Sequence, residues 1–313
     1  MSIDPVVSRN FETTKVAAIL VVTCGHFLPY AFLWITASIA LCLFGFTSGY
    51  FTALIYGRCA EPLVFVRNKL QRLGPDLLVI NLLLLSLFLL QGRPDIFSWQ
   101  SVLGMLGLTG WLNWLYLPNP SPFGAGLWYF SLLLMFYVCY PLLARLLRNG
   151  AAGTLITVAL LLVALWLSDQ VRYGHMLWFT AFSFCFGVAY ANQRWRGSWK
   201  HTVQLLGAMT LCFVLANILF GNSFKGFFLV GFVSLLAIQF LMAVPLPDWL
   251  HRPFKPFGAC VLEIYILHTY LFVHPSGVLM LDLLASLVVV LSVSFLARKV
   301  AERLQSGLRR GGT

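Results

Sequence analysis

The chain has 313 residues, of which 60% are apolar and only 10% charged, where a soluble domain carries roughly 25% charged residues. That leaves too little polar surface to solvate an ordinary globular fold, and the apolar content also excludes disorder. The net charge of +11 does not point to nucleic acid, because the basic residues sit between apolar stretches, as positive-inside loops do.

Taken in chain order, stretches long enough to cross a bilayer as helices fall at 15–33, 34–56, 73–91, 127–147, 154–170, 176–194, 203–221, 226–245, 258–275 and 279–297. They predict an all-α polytopic membrane protein, one integral domain over 1–313 with about ten transmembrane helices. Segment 100–117 is apolar and Gly-rich and runs into PNPSPFGAG at 118–126. It predicts a short helix lying on, or dipping into, the membrane surface. The polar tail from Arg298 to Thr313 reads either as a basic amphipathic helix on the inner leaflet or as a stop-transfer charge cluster.

With both termini in the cytoplasm, 18 of the 21 Lys and Arg residues fall inside and only Arg93, Arg172 and Lys225 outside. Treating 100–117 as an eleventh span weakens this bias, so the charges favour ten spans. The seven cysteines are scattered, mostly within the spans, with no paired or metal-like spacing. They predict packing residues, with no disulfide frame and no metal site.

An ionisable group at a helix centre in the membrane costs about 2.5–3.5 kcal/mol, so each one needs a partner or a cavity. The candidates are Glu12, Lys15 and His26 on the first stretch and Glu263 and His268 on the ninth, with His175, His274 and Asp282 near the outer edges. On a helix, Lys15 and His26 are about 20° apart in azimuth and about 16 Å apart along the axis, with Glu12 about 40° from His26. One stripe therefore carries a charge pair at the inner surface and an imidazole near mid-bilayer. It reads equally as functional or as a lone hydrogen-bonded histidine above a snorkelling lysine.

These residues resemble the opening of the bacterial acyltransferase-3 family, whose first span carries a basic residue, ten residues and then histidine. Phe44-Gly45-Phe46-Thr47-Ser48-Gly49-Tyr50 resembles its second span. Arg67, Lys69, Arg72 and Pro75 resemble the basic start of its third. Leu127-Trp128-Tyr129-Phe130-Ser131, followed by Tyr137 and Pro141, and Leu262-Glu263-Ile264-Tyr265-Ile266-Leu267-His268 match two later segments. The matches keep their order over almost the whole chain. Two positions depart from the pattern: Lys15 stands where Arg is usual, and Leu133 where many larger members carry acidic residues.

The resemblance implies a multi-pass enzyme of the inner (cytoplasmic) membrane that moves an acyl group, usually acetyl, from cytoplasmic acyl-CoA to a sugar hydroxyl on the outer side. Acetyl-CoA would be the donor. The acceptor would be a surface polysaccharide, an oligosaccharide or a lipid-linked glycan. A hydroxyl is a poor nucleophile near pH 7, which gives His26 the role of general base, with Glu12 fixing Lys15 or tuning the stripe. Lys15, Arg67, Lys69 and Arg72 would hold the CoA phosphates, although the last three also read as topology charges. Ser48, beside Gly49, could approach the acyl group or be ordinary helix packing. Glu263 and His268 lie about 140° apart on a helix. Only one of them can face a cavity lined by His26; the preferred one is His268, with Glu263 in a salt bridge to another span. A competing class is a proton-coupled transporter or exporter using the same stripe.

Overall fold

The computed structural model describes residues 4–30, 32–57, 61–124, 128–148, 150–170, 176–195, 197–221 and 224–310, with side chains as far as 306. Leu127, Arg172 and His175 lie outside the described residues. Among those described there is no strand. The helices are α1 (Pro5–Phe27), α2 (Leu33–Tyr56), α3 (Pro62–Leu90), α4 (Trp99–Met105), α5 (Thr109–Trp114), α6 (Trp128–Leu146) and α7 (Ala151–Gln170). They continue as α8 (Leu177–Asn192), α9 (Trp199–Phe220), α10 (Lys225–Ala243), α11 (Asp248–Phe254), α12 (Val261–Leu267) and α13 (Leu279–Arg310).

Local chemistry sets several of the ends. Asp4 Oδ1 accepts from Val6 N–H at the start of α1, and Ser98 and Ser198 cap α4 and α9. Each satisfies an N–H that the helix leaves unpaired. Gly221 closes α9 at φ 68°, where a side chain would be strained.

Seven described helices are long and apolar enough to cross a membrane: α2, α3, α6, α7, α9, α10 and the part of α13 up to Ser306. The other three predicted spans differ in kind. The first, 15–33, is helical only as far as Phe27, since α1 begins ten residues earlier at Pro5 and ends there, and Arg9, Glu12 and Lys15 dilute the apolar character of that helix. The sixth, α8, is apolar but 16 residues long, short of the roughly 20 that a bilayer core needs. The ninth, 258–275, is not one helix. It consists of a 3₁₀ turn over Lys255–Cys260, the seven-residue α12 and a second 3₁₀ turn over His268–Tyr270. The tail beyond Arg298 is not a separate element either, since α13 runs unbroken for 32 residues. Segment 100–117 holds two short helices, α4 and α5, rather than one.

The chain forms two compact units. The first comprises residues up to Gly25, Tyr30–Glu61 and Val138–Gly258. Its centre is the α2–α8 contact. A Cβ on Gly49 would strike the Phe184 carbonyl, and one on Gly187 the Phe46 carbonyl, so the two backbones touch, as small-residue stripes allow in membranes. Gly187→Leu is expected to abolish accumulation of folded protein in the membrane, whereas Leu at the open Gly207, which has free space around it, is expected to leave it near normal. Membrane abundance measured by immunoblot checks both. At one end of this unit, Asn10 is fully satisfied: its Nδ2 donates to the carbonyls of Leu241 and Val244, and its Oδ1 accepts from Leu246 N–H. Arg9 pairs with Asp248 at 2.6 Å, and Thr13 is hydrogen-bonded to His251, a histidine whose place beside a loop gives no hint of a partner.

The second unit comprises His26–Pro29, Pro62–Tyr137 and Ala259–Thr313. Here α3 packs against α12 and α13. The α4–α5 turn is held by the fully buried Ser131 of α6, whose Oγ donates to Gly107 O at 2.6 Å and accepts from Gly110 N–H at 2.9 Å.

Candidate active site

The second unit gathers most of the predicted site residues. His26, at the end of α1, lies beside His268, with ring centroids 5.1 Å apart and planes tilted by 52°. His26 is exposed and His268 is buried. His268 owes its placement to the helix break. Where α12 gives way to the 3₁₀ turn, its Nδ1 sits 2.7 Å from the carbonyl of Tyr265. A carbonyl only accepts, so Nδ1 carries the proton and Nε2 of the neutral ring is left as an acceptor. That Nε2 is buried with no hydrogen-bond partner among the described residues. Phe272 packs edge-on to His268 and to Phe27, and Phe27 stacks on His274, giving the pair an aromatic wall. Tyr265 accepts from the Tyr129 N–H through its hydroxyl, which ties α12 to the start of α6.

On α3, the three predicted basic residues do not act as one group. Lys69 is buried, its ammonium 4.8 Å from the Tyr137 ring centroid and 5.5 Å from that of Phe65. Such cation–π contacts suit a cation held away from bulk water. Arg67 and Arg72 are exposed. Helical spacing puts Arg72 within about 60° of Lys69, and Arg67 on the opposite side.

One turn further along α3 stands Asp76, a buried acid that the sequence reading passed over although it falls inside an apolar stretch. Arg298 Nη1 donates to both of its carboxylate oxygens, at 3.0 and 2.9 Å. The same Nη1 is 3.8 Å from Glu263 Oε1, and Arg298 Nε donates to Glu302 at 3.1 Å. Glu263 does therefore have a cation on another helix, but its two oxygens have no hydrogen-bond partner among the described residues. Arg298, read from sequence as a charge of the tail or of topology, is the centre of this network.

Glu12, Lys15 and Ser48 belong to the first unit. Glu12 packs its carboxyl against Gly258, where a Cβ would meet it at 2.5 Å. Ser48 is half-buried on α2, next to the Gly49 that meets α8. Among the described residues no group of three or more His, Cys, Asp or Glu could hold a metal ion.

A family model described as an acyltransferase domain matches residues 9–298 of the chain. No curated protein and no solved structure matches it.

Proposed function

Since the chain belongs to the acyltransferase-3 family, we propose that it is a membrane-bound O-acyltransferase of the inner membrane. In this reading it moves an acyl group, most simply acetyl, from cytoplasmic acyl-CoA to a hydroxyl of an extracytoplasmic or lipid-linked carbohydrate. The observation that carries the reading is the juxtaposition of His26 and His268. An exposed imidazole that a substrate can reach stands against a buried one whose tautomer is fixed by a backbone carbonyl.

In the proposed mechanism His26 takes the proton from the acceptor hydroxyl as the oxygen attacks the thioester carbon. The sulfur of CoA leaves, and the proton passes to it or to solvent. His268 orients His26, with Nε2 available to receive a hydrogen bond or a proton. Lys69 and Arg72 hold CoA phosphates, with Arg67 on the outer side of α3 or serving topology; Lys15 on α1 is a separate candidate for a donor phosphate. Glu12 positions Lys15, and Ser48 is a further candidate for contact with the acyl group or a helix-packing residue.

The reading also keeps ten crossings, the ninth made by the broken stretch 258–275 rather than by one helix, with both termini in the cytoplasm and the whole chain acting as one domain. Single cysteines introduced at Asn119 and Arg67 in a cysteine-free background are expected to react with a membrane-impermeant maleimide from opposite sides. Labelling of both from one side would refute this topology.

The donor assignment has its own test. Lys69→Ala is expected to raise the acyl-CoA KM by about tenfold, the worth of one charge-assisted phosphate contact, with the acceptor KM little changed. Labelled acetyl transfer at varied acetyl-CoA checks it, and an unchanged donor KM would remove Lys69 from the donor site.

A further inference from the structure

The first unit contains a cavity of about 370 Å³ among α7, α8, α9 and α10, well away in sequence from the residues assigned to catalysis. Its buried floor is mainly apolar, formed by Leu161, Phe179, Met209, Cys212, Gly231 and Leu235, with the hydroxyls of Thr157, Ser183 and Ser234 among them. Its rim includes Thr154, Gln204 and Ala208, which are exposed on α7 and α9. The opening thus lies between two helices whose outer faces are themselves apolar, with Leu155, Val163, Leu211 and Ile218 exposed. Those are the faces that meet lipid.

The cavity has a polar end and an apolar end. Along α9 it runs from His201 to Cys212, eleven residues or about 16 Å of helix. One leaflet of a bilayer core is about 15 Å deep. Trp195 and His201 mark the polar end, at the level where amphipathic rings settle in an interface. Gln193 joins the loops there: its Nε2 donates to Gly150 O at 3.0 Å and to Thr154 Oγ1 at 3.3 Å, and its Oε1 accepts from Gly150 N–H. Arg148, Arg194 and Lys200 are exposed on these same loops and the first turn of α9. Asp169 is the one acidic residue between positions 96 and 247, and it sits at the opposite end of α7.

We propose that this cavity holds one acyl chain of an anionic membrane phospholipid, with its headgroup on Arg148, Arg194 and Lys200. The depth fits a single leaflet-length chain, and Arg148, Arg194 and Lys200 put three exposed positive charges at the mouth. A zwitterionic lipid brings its own cation to the same phosphate, so it would offset those charges less than an anionic one. A long isoprenoid carrier would overrun that depth.

Native mass spectrometry of the purified full-length protein, incubated with phosphatidylglycerol or phosphatidylcholine of the same chains, tests this. Phosphatidylglycerol is expected to be retained about tenfold more than phosphatidylcholine, given the worth of each basic residue near an anionic headgroup. Ala208→Trp, which fills the rim, is expected to abolish that retention, and Ile218→Trp on the outer face of α9 to leave it intact. Lys200→Glu is expected to lower the preference at least about fivefold. Equal retention of the two lipids, retention untouched by Ala208→Trp, preferential retention of a polyprenyl phosphate, or no retained lipid would each overturn the proposal. None of these readouts depends on acyl transfer.

Discussion

His26→Ala is expected to lower acyl transfer by at least about two orders of magnitude, the low end of what a positioned general base contributes. The loss should appear in kcat, with the acyl-CoA KM nearly unchanged, because the imidazole acts on the acceptor hydroxyl while the donor phosphates are held by cations elsewhere. His26 is exposed, so its truncation opens no cavity and should leave membrane abundance at the wild-type level. His268 is a positioning residue in this account, and its loss should act through His26. His268→Ala is therefore expected to cost less than His26→Ala, and the double variant no more than His26→Ala alone, as residues acting as a unit do. Additive losses in the double variant would mean that the 5.1 Å pairing has no catalytic meaning. Steady-state rates at varied acceptor and donor, with protein levels matched, separate these outcomes.

Arg298→Ala should have a large effect on stability. It strips the cation from two buried carboxyls, Asp76 and Glu263, and from Glu302. Breaking a buried ion pair from one side costs about 3–5 kcal/mol, because the charge left behind has neither water nor partner. Arg298→Lys should recover only part of this, since an ammonium does not reproduce the planar fork that reaches Asp76 and Glu302 together. Adding Asp76→Asn and Glu263→Gln to Arg298→Ala should recover most of it by removing the orphaned charges. Thermal melting of the detergent-solubilised protein, followed by size-exclusion chromatography, reads all three. An Arg298→Ala variant as heat-stable as wild type would mean that the network contributes nothing to the fold.

The sequence made the apolar helices legible because hydropathy summed over about twenty residues is a strong signal, and seven helices of that kind are present. It misled over 258–275 for a physical reason. The run Val261–Val273 is apolar enough for a span, but helix continuity depends on local hydrogen bonding, and that passes to 3₁₀ geometry at His268. That break seats the histidine. Windowed hydropathy cannot see such a change. Lys15 and His26 were legible as a stripe from helical spacing alone. The pairing of His26 with His268, 242 positions apart in sequence, needed tertiary structure. Asp76 was within reach, since an acid inside an apolar stretch is itself a signal. Arg298 was not, because a basic residue at the end of a span reads first as topology. The Gly49–Gly187 contact and the cavity beside α9 are packing outcomes with no one-dimensional signature.

The most direct measurement is transfer of radiolabel from acetyl-CoA to carbohydrate by membranes carrying matched amounts of the wild-type chain or its His26→Ala variant. The account predicts label in a base-labile ester on the carbohydrate fraction with the wild type, and at least about a hundredfold less with the variant. Equal incorporation by the two, or none by the well-expressed wild type with any carbohydrate acceptor and acyl donor supplied, would contradict it.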